Sequence, residues 1–224
     1  MDDIMYDIFG EIPRQGPGSR FTTLQAAELI HNMPAEPVIL DLGCGTGAQT
    51  LVIANHFGGT VYAVDRYQPY LDILMQNANT QGLSDSIVCY KADMFNLDFP
   101  DEKFDLIWAE GSVYIMGFKN GLQTLHNLVK PGGYLAATEL TWLRNDIPSD
   151  LAEFWKSNYP DMKDLHSNLN IIADTGYETI EYFVLPPIDW WDEYYSPLEK
   201  RLETLRKQDN EDEEMEELID LVQL

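Results

Sequence analysis

The stretch Val38-Ile39-Leu40-Asp41-Leu42-Gly43-Cys44-Gly45-Thr46-Gly47 decides how this chain reads. An apolar run leads straight into a turn with glycine at every second position, and a helix-like segment, residues 48–56, follows. Glycine lets a backbone bend sharply and approach a ligand that side chains would otherwise exclude. The amides that open the following helix then point toward that ligand. The spacing is Gly-x-Gly-x-Gly, with Ala48 and Gln49 next. A dinucleotide fingerprint needs Gly-x-Gly-x-x-Gly, so the loop argues against a nicotinamide-dependent oxidoreductase. Taken alone, the loop also fits an ordinary strand-to-helix turn.

Outward from the loop, short apolar runs alternate with helix-like segments, which is the pattern of βαβ units and a mostly parallel sheet. The runs are 38–40, 61–64, 87–90, 104–108 and 134–138, with helical stretches at 48–56, 69–81 and 121–129. Lys130-Pro131-Gly132-Gly133 reads as a tight turn into the fifth strand. Before the loop, residues 14–19 are turn-rich, and a helix is expected from Thr22 or Thr23 to about Asn32. After Glu139 the alternation breaks. Residues 142–163 read as a loop with a short helix, 164–175 as a helix, 179–185 as a sixth strand, 186–197 as an aromatic segment and 198–224 as a charged helix. The expectation is one α/β domain spanning 1–224. It has a doubly wound, mostly parallel sheet with helices on both faces and an aromatic-rich cap. Residues 1–36 form an N-terminal lid and helix, 37–140 a cofactor-binding core, and 141–224 a cap that lacks a clear last strand.

Carboxylates stand where such a sheet would use them. Asp65 ends the second strand about 20 residues past the loop, where doubly wound folds place an acid on ribose hydroxyls. Asp93 follows the third strand in Lys91-Ala92-Asp93-Met94. Ligands of open α/β sheets bind outside the carboxyl ends of the strands, so these acids converge on one crevice. Each alone could be a helix cap.

Composition narrows the partners. A formal net charge of -24 disfavours long nucleic acids, whose phosphates call for a basic surface. Part of that charge is the acidic run at 209–220, read as a solvated helix face. Cys44 and Cys89 show neither a disulfide framework nor metal-ligand spacing, so no metal is expected. The opening Met1-Asp2-Asp3-Ile4 lacks the features of a signal peptide, and no apolar stretch is long enough for a bilayer. These points lead to the expectation of a cytoplasmic protein with no membrane partner.

Taken together, the motifs resemble those of class I S-adenosylmethionine-dependent methyltransferases, of the small-molecule type, over roughly 37–139. Asp41 to Gly47 resembles the first motif of that family, Val61 to Asp65 the second, Ala92-Asp93-Met94 the third and Phe104 to Glu110 the fourth. Leu128 to Gly133 resembles the turn before strand five. The flanks, Arg-Gln-Gly-Pro-Gly-Ser at 14–19 and Trp108 to Phe118, resemble a poorly characterised subgroup. The resemblance implies a Rossmann-like fold with strand order 3-2-1-4-5-7-6 and S-adenosyl-L-methionine as cofactor. It implies that Asp41, Gly43, Cys44, Gly45, Thr46 and Gly47 surround the methionine part. Asp65 would hold the ribose hydroxyls, with Arg66 beside the adenine. Asp93 would bond the adenine amino group and Met94 pack on its ring. Ala109 and Glu110, with Gly111, would lie near the amine and the transferred methyl.

The acceptor is expected to be a small molecule, methylated by in-line displacement. A hydroxyl acceptor wants a base, and the candidates are Glu110 and His166. Glu110 reads equally well as a group that orients the cofactor amine, and His166 as an exposed histidine. His31, His56 and His126 fall in helices. Tyr6, Arg14, Tyr114, Trp142, Trp190 and Tyr194 are expected to line the acceptor pocket, with residues 14–19 closing over the cofactor. Exposed aromatics near Trp190 are compatible with a homodimer. The rivals are a protein or RNA methyltransferase and a cofactor-binding protein without catalysis. Ala109-Glu110-Gly111-Ser112 stands where amino-methylating enzymes of nucleic acids carry Asn/Asp-Pro-Pro-Tyr.

Overall fold

The structure, a computed structural model, describes residues 8–208; Tyr6, the opening residues 1–4 and the acidic run 209–220 lie outside them. Five strands form one parallel sheet: β1 (Val38–Leu42), β2 (Thr60–Asp65), β3 (Ile87–Lys91), β4 (Phe104–Ala109) and β5 (Val129–Ala137). Their order is β3-β2-β1-β4-β5. The chain winds outward in one direction from β1 to β3, then returns to the other side of β1 with β4. The order therefore reverses between β1 and β4, and that switch point opens a crevice at the carboxyl ends of the strands.

Alternation along the strands sorts the core onto two faces. Ile39, Val61, Ala63, Leu106 and Trp108 pack on one face with Ala27 of α1 (Arg20–Glu28), Leu51 and Ile53 of α2 (Ala48–Phe57), and Leu71, Leu74 and Ala78 of α3 (Gln68–Gln81). Leu40, Leu42, Val64, Ile107 and Ala109 pack on the other with Phe118, Leu122 and Leu125 of α4 (Phe118–His126). These strands are buried on both sides, which is why they read as unbroken apolar runs. A smaller cluster joins Ile8 and Ile12 to Leu198, Leu202 and Leu205 of the C-terminal helix, so the first described residues are pinned to the last.

Several sequence expectations are corrected. Helix α1 starts at Arg20 because Ser19 caps it reciprocally: the Ser19 Oγ accepts from the Thr22 amide at 3.2 Å, and Thr22 Oγ1 accepts from the Ser19 amide at 3.1 Å. The Lys130-Pro131-Gly132-Gly133 segment lies inside β5, where Val129 pairs with Phe104 but Tyr134 pairs with Leu106. The extra residues bulge out, since proline cannot donate to the ladder.

The largest correction concerns residues 179–185, which form no strand. Ile180, Tyr182 and Val184 are 63%, 53% and 59% exposed. The period-2 alternation supplies strand propensity, but without a partner edge and a covering layer it stays irregular. The cap instead holds β6 (Thr141–Trp142), α5 (Ser149–Asn158), β7 (Lys163–Asp164) and α6 (Leu165–Asp174). After it come α7 (Pro187–Trp190), a π-turn at Trp191–Tyr195 and α8 (Ser196–Gln208). β6 and β7 pair with each other apart from the main sheet. No helix among the described residues is long and apolar enough to cross a membrane.

Candidate active site

The glycine turn is built as its sequence dictates. Gly43, Gly45 and Gly47 all take positive φ, at 71°, 55° and 87°. At Gly47 a Cβ would come within 2.1 Å of Leu74 Cδ1, so this glycine also sets how closely α2 and α3 approach. Asp41, wholly buried at the end of β1, accepts from Thr50 Oγ1 at 2.6 Å and from Gln49 Nε2 at 3.4 Å. Burial pushes its carboxyl up to about 7, against the pull of those two hydrogen bonds. Asp41 thus braces strand against helix beneath the turn. Cys44 is buried, and desolvation raises its thiol well above the usual range.

Asp65 ends β2 beside the turn. Its Oδ2 accepts from the Gly45 amide at 3.0 Å and its Oδ1 from the Tyr67 amide at 2.9 Å. Burial raises its carboxyl, while these backbone bonds pull it back. A third backbone bond, from Arg66, leaves the carboxylate only part of its lone-pair capacity for a further donor. Met94 reaches the turn as well, with its Cε 3.6 Å from where a Gly43 Cβ would stand. Asp93 is exposed; its Oδ1 accepts from the Phe95 amide at 3.0 Å in a local turn. Arg66 is exposed at the end of β2.

Across the switch point, Glu110 follows the fully buried Ala109 at the end of β4. Its carboxylate is paired with Arg14, and both side chains are over nine-tenths buried. Oε2 also accepts from Thr23 Oγ1 and from Trp108 Nε1, each at 3.0 Å. Arg14 brings with it a strap that lies across the glycine turn. Gln15 Oε1 accepts from the Thr46 amide at 2.9 Å and from Thr46 Oγ1 at 3.0 Å, while its Nε2 donates to the Phe9 and Ile12 carbonyls. Asp189 fixes the strap's far end. It is buried, its Oδ2 accepts from Thr22 Oγ1 at 2.6 Å, and its carbonyl accepts from the Gly18 amide at 3.2 Å. Between strap and turn the crevice measures ≈ 50 Å³, lined by Arg14, Gln15, Gly43, Gly45 and Glu110 among others.

A second group of polar and aromatic side chains gathers beyond β5. Glu139 lies two residues past this strand, and Tyr159 donates to its Oε1 at 2.6 Å. Burial pushes the Glu139 carboxyl up to about 7, the Tyr159 bond opposes that rise and Asp161 adds to it. The rings of Tyr159 and Tyr114 meet edge-on at 5.9 Å. Desolvation, and next the Glu139 charge, raises the Tyr114 phenol. Trp142 and Tyr159, with Ile147, Trp155 and Met162, line a second cavity of ≈ 170 Å³.

The structure brings Arg14, Gly43, Cys44, Gly45 and Glu110 to the lining of one crevice, while Asp41, Thr46, Gly47, Asp65 and Met94 lie around or beneath its glycine turn. Trp142 lines the second cavity, and Tyr114 packs against the Tyr159 ring that borders it. Trp190 stacks with Tyr195 at 6.0 Å, and Tyr194 packs against the Ile8–Leu198 cluster. His166 is exposed on α6, where it pairs with Asn170. Sequence reading passed over Gln15, Asp189, Tyr159 and Glu139. One signal was present for Glu139: the rule that selects Asp65 and Asp93, an acid just past the carboxyl end of a strand, selects it equally.

Known proteins place this arrangement. Residues 39–133 match the family model described as a methyltransferase domain. Phosphoethanolamine N-methyltransferase 3 of Arabidopsis thaliana is 24% identical over 195 residues, covering 87% of this chain and 38% of that protein. Sterol 24-C-methyltransferase of Yarrowia lipolytica is 27% identical over 140 residues, covering 61% and 34%. The chain thus spans little more than a third of these relatives. A crystal structure of a SAM-dependent methyltransferase from Geobacter sulfurreducens, in complex with S-adenosyl-L-homocysteine, superposes with a TM-score of 0.82 at 20% identity, over 97% of this chain and 87% of that one. The fold is the Rossmann-like α/β sheet of that class. Over residues 39–133 this chain is thus similar to a methyltransferase domain.

Proposed function

We propose that this protein transfers the methyl group of S-adenosylmethionine to a small-molecule acceptor by direct in-line displacement. The observation that carries the reading is the glycine cradle at the switch point with Asp65 at its edge. Cβ atoms at Gly43 and Gly45 would collide at 2.5 Å with Ser112 and Gln15, so only glycine lets the turn sit this close to what lies over it, and at Gly45 that is the Gln15 strap. Gln15 Oε1 shows that the amide end of α2 takes an oxygen ligand, as the carboxylate of an amino acid would supply. The donor set therefore fits a sulfonium nucleoside. The remaining lone pairs of Asp65 would hold the ribose, and the Gly45 and Thr46 region the methionine end.

When bound, this cofactor supplies an activated methyl group on a positive sulfur. The chain's own part is to bind, align and exclude water, and alignment alone contributes on the order of 7–11 kcal/mol to such a step. Glu110 is read as a positioning group and not as the base, because Arg14, Thr23 and Trp108 already occupy both of its oxygens. His166, exposed on α6, is given no catalytic part. Residues 14–19 act as a lid. A space of ≈ 50 Å³ falls far short of the roughly 300 Å³ of a small ligand pocket, so the strap lifts for loading and returns to seal the site.

The acceptor is read as small because the cap presents a small aromatic-lined hollow, with Lys156 its one basic side chain, and not a basic groove. Calorimetry with S-adenosylhomocysteine, followed by turnover of S-adenosylmethionine across an acceptor panel, tests the whole reading. Tight binding that Asp65→Ala weakens by roughly 10–100-fold supports it, whereas a wild-type protein that ignores S-adenosylhomocysteine rules it out.

A further inference from the structure

Among the described residues, two buried side-chain atoms have no hydrogen-bond partner: Glu139 Oε2 and Asn168 Oδ1. They belong to one network. Asn168 Nδ2 donates to Thr141 Oγ1 at 2.9 Å, and Thr141 Oγ1 donates to the Glu139 carbonyl at 3.1 Å. That direction fixes the Asn168 amide, because a hydroxyl that has spent its proton can only accept. Both orphans are acceptors, so the network lacks donors. A buried acceptor left unpaired costs about 1–3 kcal/mol, which makes each orphan a place where a ligand's N–H group is welcome.

The surroundings specify the charge of that donor. The groups that face Glu139 are Tyr159, Tyr114 and Asp161, none of them cationic. The cations of that segment are Lys163, 3.9 Å from Asp161, and Lys156, on the wall of the cavity beyond Tyr159. Tyr114 is 41% exposed over this site and presents an aromatic face, a surface that attracts cations. The Tyr159 ring joins Glu139 to the ≈ 170 Å³ cavity of Trp142, Ile147, Trp155 and Met162. A cavity of about 150 Å³ holds a benzene ring.

Resting on the methyltransferase reading, we infer that Glu139 is the acceptor-binding catalytic residue. It holds a primary or secondary amine as its ammonium, with an apolar body about the size of one aromatic ring in the Trp142–Trp155 cavity. Glu139 Oε2 takes one proton from the nitrogen. The freed lone pair forms the C–N bond to the methyl carbon, the old bonding pair stays on sulfur, and the proton leaves to water when Glu139 ionises again. An N-methyltransferase stands among the relatives, in keeping with nitrogen as the acceptor atom.

The test uses benzylamine and the matched alcohol, benzyl alcohol, as probes on the full chain loaded with S-adenosylhomocysteine. Binding is read by calorimetry at pH 6 and pH 8. Wild type should bind benzylamine at least tenfold tighter than benzyl alcohol, and tighter at pH 8, where Glu139 is ionised, than at pH 6. Glu139→Gln should lose at least tenfold for the amine, remove the pH dependence and leave benzyl alcohol and S-adenosylhomocysteine unchanged. Amine binding that is absent, no better than the alcohol's, or untouched by Glu139→Gln overturns the inference. If S-adenosylhomocysteine itself fails to bind wild type, it is the methyltransferase reading that falls.

Discussion

The two halves of the crevice are built by different means. Over β1 and β2 the site is made of consecutive residues: a strand, three glycines, a helix start, and one acid at the end of the neighbouring strand. Over β4 and β5 it is made of residues far apart in the chain. Arg14 reaches Glu110 across 96 positions, Thr22 reaches Asp189 across 167, and Tyr159 reaches Glu139 across 20. The first half is rigid because backbone geometry leaves it no alternative. The second is assembled from loops and a cap, the kind of segment on which binding residues are most often carried.

Glycine substitutions give the sharpest contrast between the halves. Gly47→Ala puts a Cβ 2.1 Å from Leu74 Cδ1 at φ 87°, and should cost about 2–4 kcal/mol in urea unfolding while abolishing S-adenosylhomocysteine binding. Gly111→Ala has a similar φ of 70° but nothing within 4 Å, and should cost only the backbone strain, about 1–2 kcal/mol. Equal losses at the two sites would remove the distinction. Next in size, Asp65→Ala should weaken S-adenosylhomocysteine by roughly 10–100-fold by calorimetry, the worth of one or two charge-assisted bonds.

A smaller effect is expected in the acceptor half, and its sign depends on pH. The folded state raises the Glu139 carboxyl to about 7 from its ordinary value near 4.5. The contribution of this group to stability is therefore intact below 4.5 and lost as pH rises through about 7. Glu139→Gln should gain on wild type between pH 5 and pH 8 by on the order of 1–2 kcal/mol after allowance for solvent screening, read as a Tm difference of a few degrees. A difference that stays flat with pH would show that Glu139 is not desolvated. Gln15→Ala should speed S-adenosylhomocysteine association a few-fold in stopped flow, since the Thr46 amide no longer has to be cleared, with no loss of stability beyond about 1 kcal/mol. At the bottom of the scale, His166→Ala should leave both binding and Tm unchanged.

The sequence determined the alternation of strands and helices, the buried character of the sheet and the place of Asp65, while the strand order and the part of Asp41 came from the resemblance to a family. The first three follow from local rules: hydrophobic period, glycine at positive φ, and an acid where a strand ends. Only the tertiary structure decided that 179–185 would not pair, that Glu110 would be locked by Arg14 and Trp108, and that half-buried Glu139 would keep one oxygen buried and unmatched. Whether a polar atom is satisfied depends on what packs around it from elsewhere in the chain, and no periodicity in the neighbouring residues encodes that.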